Sequence, residues 1–129
     1  MARILIADDD TNIRRLFRQV LERAHHEVID AEDGDVALRM MKKSQPHGLD
    51  ILITDVLMPN KEGLELIQET KLSYPHIHII AISGGGAVGL QDCLMFADGF
   101  GADRVFAKPL RPQHLVEAVN ELLGQKEVA

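Results

Sequence analysis

The chain has 129 residues, 46% of them hydrophobic, a size and composition that suit one domain with one well-formed core. Its formal net charge of −6 repels nucleic acid unless the basic residues form a separate face. No such face is indicated, because the densest basic cluster, Arg14, Arg15 and Arg18, has the spacing of a solvated helix surface. No apolar run approaches the roughly 20 residues of a membrane span, and Cys93 has no partner for an internal disulfide, so we expect a cytoplasmic protein without a signal peptide.

Short apolar runs alternate along the chain with longer stretches of helical periodicity. The runs are rich in Ile, Leu and Val, and their near-continuous apolarity is typical of strands buried on both faces of a parallel sheet. They lie at 3–7, 27–31, 50–54, 77–82 and 103–107.

Helical spacing predicts five helices between and after these strands. Thr11 can cap the first, whose apolar residues recur at steps of three and four from Ile13 to Ala24. A second helix lies around 36–41, a third ends before Pro75, and a glycine-flanked fourth lies near 88–99. The last begins near Pro112, with Gly124 at the position of a C-terminal cap.

Candidate site residues follow the first, third, fourth and fifth predicted strands. Because ligands bind beyond the carboxyl ends of the strands in open parallel sheets, we expect these residues to meet at one edge. They are Asp8, Asp9 and Asp10 after the first strand, Asp55 after the third, Ser83 and Gly84 after the fourth, and Lys108 after the fifth.

Each of these residues also has a structural interpretation. Asp10 adjoins the first helix, where a carboxylate favours the positive end of the helix dipole, and we interpret it as a cap or surface residue. Asp8 and Asp9 fit turn chemistry as well as a metal site. Asp55 alone fits a turn, and Lys108 alone fits an exposed surface position.

Taken together, the clustered carboxylates favour a metal site, because their repulsion must be offset by a cation or by the lysine. Carboxylate oxygens without nearby Cys or paired His favour Mg²⁺ or Mn²⁺. A carboxylate beside such a cation and a lysine can act as a nucleophile toward phosphorus. The Ser83 hydroxyl and the Gly84 backbone N–H could then donate to phosphoryl oxygens.

Four segments resemble the signature regions of response-regulator receiver domains: IADDDTNIRR, TDVLMPNKEGLELI, the Ser83-Gly84 pair and GADRVFAKPL. The resemblance runs from Arg3 to Gly124. It implies a flavodoxin-like, doubly wound α/β fold with a five-stranded parallel sheet in the order 2-1-3-4-5 and five flanking helices. It places the receiver domain at 1–124 and a short tail at 125–129.

The same resemblance implies that Asp55 is the phosphoacceptor and that Ser83, Gly84 and Lys108 contact the phosphoryl group. It further implies a Mg²⁺ site made by Asp8, Asp9, Asp55 and the backbone carbonyl of Leu57. The implied partners are a sensor histidine kinase or histidine phosphotransfer protein and a downstream protein target, and the family allows homodimers. The expected output surface is formed by the fourth helix, the fifth strand and the fifth helix.

One position departs from the family pattern. Receiver domains commonly carry Tyr or Phe three residues before the lysine, and here that position is Val105. Phe106 cannot substitute for it, because neighbouring side chains in a strand point to opposite faces. The glycines at 84–86 suggest a different route, in which a loop after the fourth strand reorders together with the fourth helix.

Two other functions are compatible with parts of the pattern. An aspartate-nucleophile phosphatase of the haloacid dehalogenase type also has acidic residues after its first strand, but its motif requires Thr or Val where Asn12 stands. A flavodoxin-like electron carrier or a non-phosphorylated docking module is the third hypothesis. The electron carrier is disfavoured because the acidic edge is a poor phosphate cradle for FMN without a metal. The chain also has no Trp, and Tyr74 is its only tyrosine, to stack a flavin. A signalling switch, rather than an enzyme acting on a separate substrate, is the primary prediction.

Overall fold

The computed structural model describes residues 2–44, 48–56, 63–83, 101–108 and 110–128. Five strands form one parallel sheet: β1 (Arg3–Ala7), β2 (Glu27–Ala31), β3 (Ile51–Asp55), β4 (His78–Ser83) and β5 (Arg104–Ala107). Their order is β2-β1-β3-β4-β5. The predicted doubly wound sheet is thereby confirmed, with strand boundaries within one residue of those expected.

Four helices lie within the described residues: α1 (Thr11–Arg23), α2 (Gly34–Lys43), α3 (Gly63–Ser73) and α4 (Pro112–Val128). The helix predicted near 88–99 lies outside the described residues. None of the helices in the described ranges is both long enough and apolar enough to cross a membrane.

The beginning of α1 differs from the prediction by one residue. Asp10 is the N-cap, and its carboxylate accepts hydrogen bonds from the backbone N–H groups of Asn12 and Ile13 at 2.8 and 3.3 Å. Thr11 is the first residue of the helix, so its prediction as the cap is wrong. A carboxylate satisfies two free N–H groups and favours the helix dipole, which a threonine hydroxyl does less well.

The end of α4 also differs. The helix continues through Gly124 to Val128, so the prediction that Gly124 ends it is wrong. A Cβ at Gly124 would meet no atom within 4 Å, and one glycine inside a helix costs only about 1 kcal/mol relative to alanine. The domain boundary between 124 and 125 stays a prediction.

The alternation of side chains along each strand divides the core between two faces of the sheet. On β1, Ile4 and Ile6 pack with Phe17 and Leu21 of α1 and with the apolar side of α4. The intervening Leu5 and Ala7 face the other way, toward apolar residues of α2 and α3. Helices therefore cover both faces, and the carboxyl ends of the strands remain as the place for polar chemistry.

Candidate functional site

The carboxyl ends of the central strands bring the predicted polar residues together. Asp8 directly follows β1, Asp55 ends β3 and Ser83 ends β4, and all three are buried. Lys108 directly follows β5, and its backbone N–H donates to the carbonyl of Ser83 at 2.8 Å. The register of the sheet therefore places residues separated by up to 100 positions at one edge.

Lys108 connects the two buried carboxylates. Its Nζ donates to Asp55 Oδ2 at 2.9 Å and to Asp8 Oδ2 at 3.2 Å. Burial alone would lower the pKa of Lys108, but the hydrogen bonds and negative charges of Asp55 and Asp8 outweigh it and raise the pKa. The lysine is therefore a fixed cation that offsets part of the repulsion between the carboxylates.

Asp8 is held on several sides. Its Oδ1 accepts from the backbone N–H of Asp10 at 2.8 Å, while the Arg14 guanidinium donates to its backbone carbonyl at 2.7 Å. Burial raises the pKa of the Asp8 carboxyl, and the charge of Asp55 adds to this, whereas the Asp10 N–H and Lys108 oppose it. A raised pKa means that ionised Asp8 is costly in this setting without a further cation.

Three hydrogen bonds fix the backbone of Asp55 and Val56. The Thr54 hydroxyl donates to the Asp55 carbonyl at 2.9 Å, and the Val56 N–H donates to the Ile82 carbonyl at 2.9 Å. The Val56 carbonyl in turn accepts from the N–H of Gly63, the first residue of α3, at 2.9 Å. Asp55 is thus presented from a rigid backbone, as a reacting group requires.

The acidic residues fit a divalent cation. One carboxylate oxygen from each of Asp8, Asp9 and Asp55 can be chosen so that all three lie within 4.8 Å of one another. Asp9 is exposed, whereas the other two are buried, so the cluster opens toward solvent on one side. Oxygen ligands of this type suit Mg²⁺ or Mn²⁺, and a 2+ ion would balance the negative charge that Lys108 leaves.

The remaining residues singled out in the sequence lie in different places. Asp10 serves as a helix cap, as interpreted. Leu57 and Gly84 lie outside the described residues. Val105 packs toward Val56 and Ile67, whereas Phe106 packs toward the core on the opposite face, as the strand alternation predicted.

Two residues that sequence reasoning missed also shape the site. The spacing of Arg14 predicts only a solvated basic face, yet its guanidinium donates to the Asp8 carbonyl and lies 3.8 Å from the Asp30 carboxylate. The sequence pattern assigns no role to Gly63, although a glycine directly before a helical pattern is a signal for close backbone approach. Neither contact could be read from helical or strand spacing, because each depends on how a helix turns back against the end of the strand before it.

Comparison with known proteins agrees with this architecture. The family model described as "Response regulator receiver domain" matches residues 4–120. The chain is 32% identical to the chemotaxis protein CheY of Thermotoga maritima, covering 93% of this chain and 96% of that protein. It is similar to a response regulator receiver domain protein from Clostridium thermocellum, with 30% identity, a TM-score of 0.89 and coverage of 99% and 98%.

Other relatives are longer. The chain is 30% identical to the alkaline phosphatase synthesis transcriptional regulatory protein PhoP of Bacillus subtilis, over 98% of this chain but only 50% of that protein. It therefore spans about half the length of some curated relatives and nearly all of others. The chain belongs to the response-regulator receiver domain family of two-component systems. This membership gives no support to the phosphatase alternative.

Proposed function

We propose that this receiver domain is a phosphorylation-activated switch that accepts a phosphoryl group on Asp55. The observation that carries the proposal is the position of Lys108 Nζ, 2.9 Å from Asp55 Oδ2 and 3.2 Å from Asp8 Oδ2. A purely structural lysine would not need two buried carboxylates and a third beside them.

The chemistry follows from the arrangement. An Asp55 oxygen attacks the phosphorus of a phosphohistidine on the donor protein, a P–O bond forms, and the P–N bond breaks. The departing imidazole keeps the electron pair of that bond and takes a proton. Lys108 donates to a phosphoryl oxygen as charge accumulates there, and Ser83 and the Gly84 N–H donate to the others.

Asp8, Asp9, Asp55 and the backbone carbonyl of Leu57 would hold the Mg²⁺, and Mn²⁺ would suit the same oxygens. When bound, the ion neutralises negative charge on the phosphoryl group and on the carboxylates. In its absence, Lys108 supplies the single positive charge that reaches both Asp8 and Asp55 in the described site.

The partners follow from this chemistry. A sensor histidine kinase or a histidine phosphotransfer protein would donate the phosphoryl group, and a protein target would read the phosphorylated state. The output surface would comprise residues 88–99, β5 and α4, which could also support a homodimer. The domain would act in the cytoplasm without binding nucleic acid itself, and its only catalysis would be self-phosphorylation and self-dephosphorylation.

Intact-mass measurement tests the proposal. We expect incubation with Mg²⁺ and a small acyl phosphate to add one phosphoryl group to the wild-type chain, and EDTA or Asp55→Asn to prevent the addition. Asp35→Asn is the matched control, because Asp35 is an exposed carboxylate in the first turn of α2. Phosphorylation of the Asp55→Asn variant, or its absence from wild type with both the acyl phosphate and a phosphohistidine donor, would contradict the proposal.

A further inference from the structure

Gly63 lies against the backbone that carries Asp55. A Cβ built on Gly63 would be 1.9 Å from the Asp55 carbonyl oxygen and 2.7 Å from the Val56 Cα. Contacts this short require movement of one side, and here both neighbouring atoms belong to the backbone rather than to the end of a flexible side chain. The absence of a side chain at Gly63 is therefore a requirement of the site's backbone.

The Asp55 side of this contact cannot move without breaking existing bonds. The Asp55 carbonyl is the acceptor for the Thr54 hydroxyl, and Val56 is bonded to β4 through its N–H. Val56 is also fully buried. Displacing this peptide would therefore rotate or shift Asp55 relative to Asp8 and Lys108, which are held by other strands.

The α3 side is equally constrained. Leu66, Ile67 and Thr70 of α3 are each 0% exposed, and the Gly63 N–H is bonded to the Val56 carbonyl. Withdrawal of α3 would open the core at Leu66 and Ile67 and break that bond. A methyl group at position 63 thus has no low-cost accommodation, and its effect must reach the Asp55 peptide.

We infer that Gly63 is a positioning residue for Asp55: its missing side chain lets the start of α3 dock on the Asp55–Val56 peptide and sets the place of the Asp55 carboxylate. The role assigned to Asp55 rests on the proposed function, but the position of its carboxylate can be measured without any phosphorylation. Gly63 acts through the backbone and touches no reacting atom.

The experiment compares three glycine-to-alanine changes. Gly63→Ala is made in a Gly124→Ala background, because a Cβ at Gly124 meets nothing within 4 Å and alanine favours the helix. Gly124→Ala alone is the reference. Gly101→Ala in the same background is the destabilised control, because Gly101 has φ +111° and the atoms nearest its Cβ would belong to the flexible side chain of Lys71.

Two readouts follow the Asp55 carboxylate. The first is its ¹³Cγ resonance in the metal-free protein, assigned by its loss in Asp55→Asn. The second is the affinity for Mn²⁺ alone, measured by the electron paramagnetic resonance of the free ion. We expect Gly63→Ala to shift the resonance and to weaken Mn²⁺ binding roughly tenfold or more, as supporting residues of metal sites do. Gly101→Ala should change neither readout while lowering the thermal midpoint.

The other outcomes decide against the inference. An Asp55 resonance in Gly63→Ala identical to that of the reference would overturn it, and so would the same change in Gly101→Ala. An unfolded Gly63→Ala variant would overturn it too, since Gly63 would then serve the fold as a whole. If the reference binds no Mn²⁺, the metal part of the proposed function fails by itself, and the ¹³Cγ resonance still decides the role of Gly63.

Discussion

Replacing Lys108 with methionine removes the cation between Asp8 and Asp55 and keeps a side chain of similar length. At an effective dielectric constant of about 20, opposite unit charges about 3 Å apart attract by roughly 5 kcal/mol. The net loss is smaller, because Lys108 regains hydration when unfolded and its side chain is 21% exposed in the fold. We expect the free energy of unfolding to fall by about 2–3 kcal/mol, between the values for exposed and buried ion pairs.

The assay is urea denaturation at pH 7.5, first in EDTA and then in saturating Mg²⁺. Lys43→Met is the matched control, because Lys43 is exposed in the last turn of α2, and it should change stability by no more than about 0.5 kcal/mol. In Mg²⁺ the deficit of Lys108→Met should shrink, because the ion takes over part of the charge balance and binds only the folded chain.

Two results would refute this reasoning. A loss in EDTA no larger than that of Lys43→Met would show that the ammonium contributes nothing net to the folded state. A deficit unchanged by Mg²⁺, in a variant that still binds the ion, would show that the lysine and the cation do not offset the same repulsion.

Three further predictions concern single residues. Because burial raises the pKa of Asp8 above 3.8, the metal-free fold loses stability as pH rises through that raised pKa. In EDTA, the free energy of unfolding of Asp8→Asn should therefore rise relative to that of wild type between pH 4 and pH 7. The same difference between variant and wild type at both pH values would contradict this. Asp10→Ala should lower the free energy of unfolding by about 1 kcal/mol and leave the Mn²⁺ affinity unchanged. Asp9→Ala should weaken Mn²⁺ binding and leave the free energy of unfolding nearly unchanged, and denaturation and ion titration of both variants separate the cap from the ligand. His26 accepts a hydrogen bond from the Ala2 N–H, and burial lowers its pKa below 6.5 although a hydrogen bond with Asn120 opposes the effect. The free energy of unfolding should therefore fall as pH drops below about 6.5, because the unfolded chain takes up a proton more readily than the folded one. Denaturation across this pH range should show a weaker fall in His26→Gln.

The sequence was sufficient to predict which residues meet at the edge of the sheet. Asp8, Asp55 and Lys108 each stand at the end of an apolar run, and a parallel sheet brings those ends together whatever the details of packing. The two-residue periodicity of strands also predicted correctly that Val105 and Phe106 face opposite sides. These inferences depend on local pattern and on one topological rule.

What the sequence could not predict depends on how each helix lies against the strand before it and on the space around single residues. Arg14 bonds the Asp8 carbonyl only because α1 folds back against the end of β1, and the helical spacing around it is equally typical of a solvated face. Gly63 matters because α3 starts against the backbone of Asp55 and Val56, where a Cβ would be 1.9 Å from the Asp55 carbonyl oxygen. The continuation of α4 beyond Gly124 likewise reflects open space around that glycine, which local propensity does not report.

The geometry also bears on how a phosphoryl group at Asp55 would be sensed in a chain with valine at position 105. Lys108 is linked to β4 through its backbone N–H and the Ser83 carbonyl, so a phosphoryl group that changed the partners of its ammonium would act next to the pairing of β4 with β5. Phe106, two residues earlier, packs with the core that contains Leu115 and Val119 of α4. A shift of β5 would therefore reach α4 through Phe106 without an aromatic ring at position 105. In such a switch the free-energy difference between the states comes from Lys108 exchanging carboxylate for phosphoryl contacts, and α4 would respond by repacking against β5.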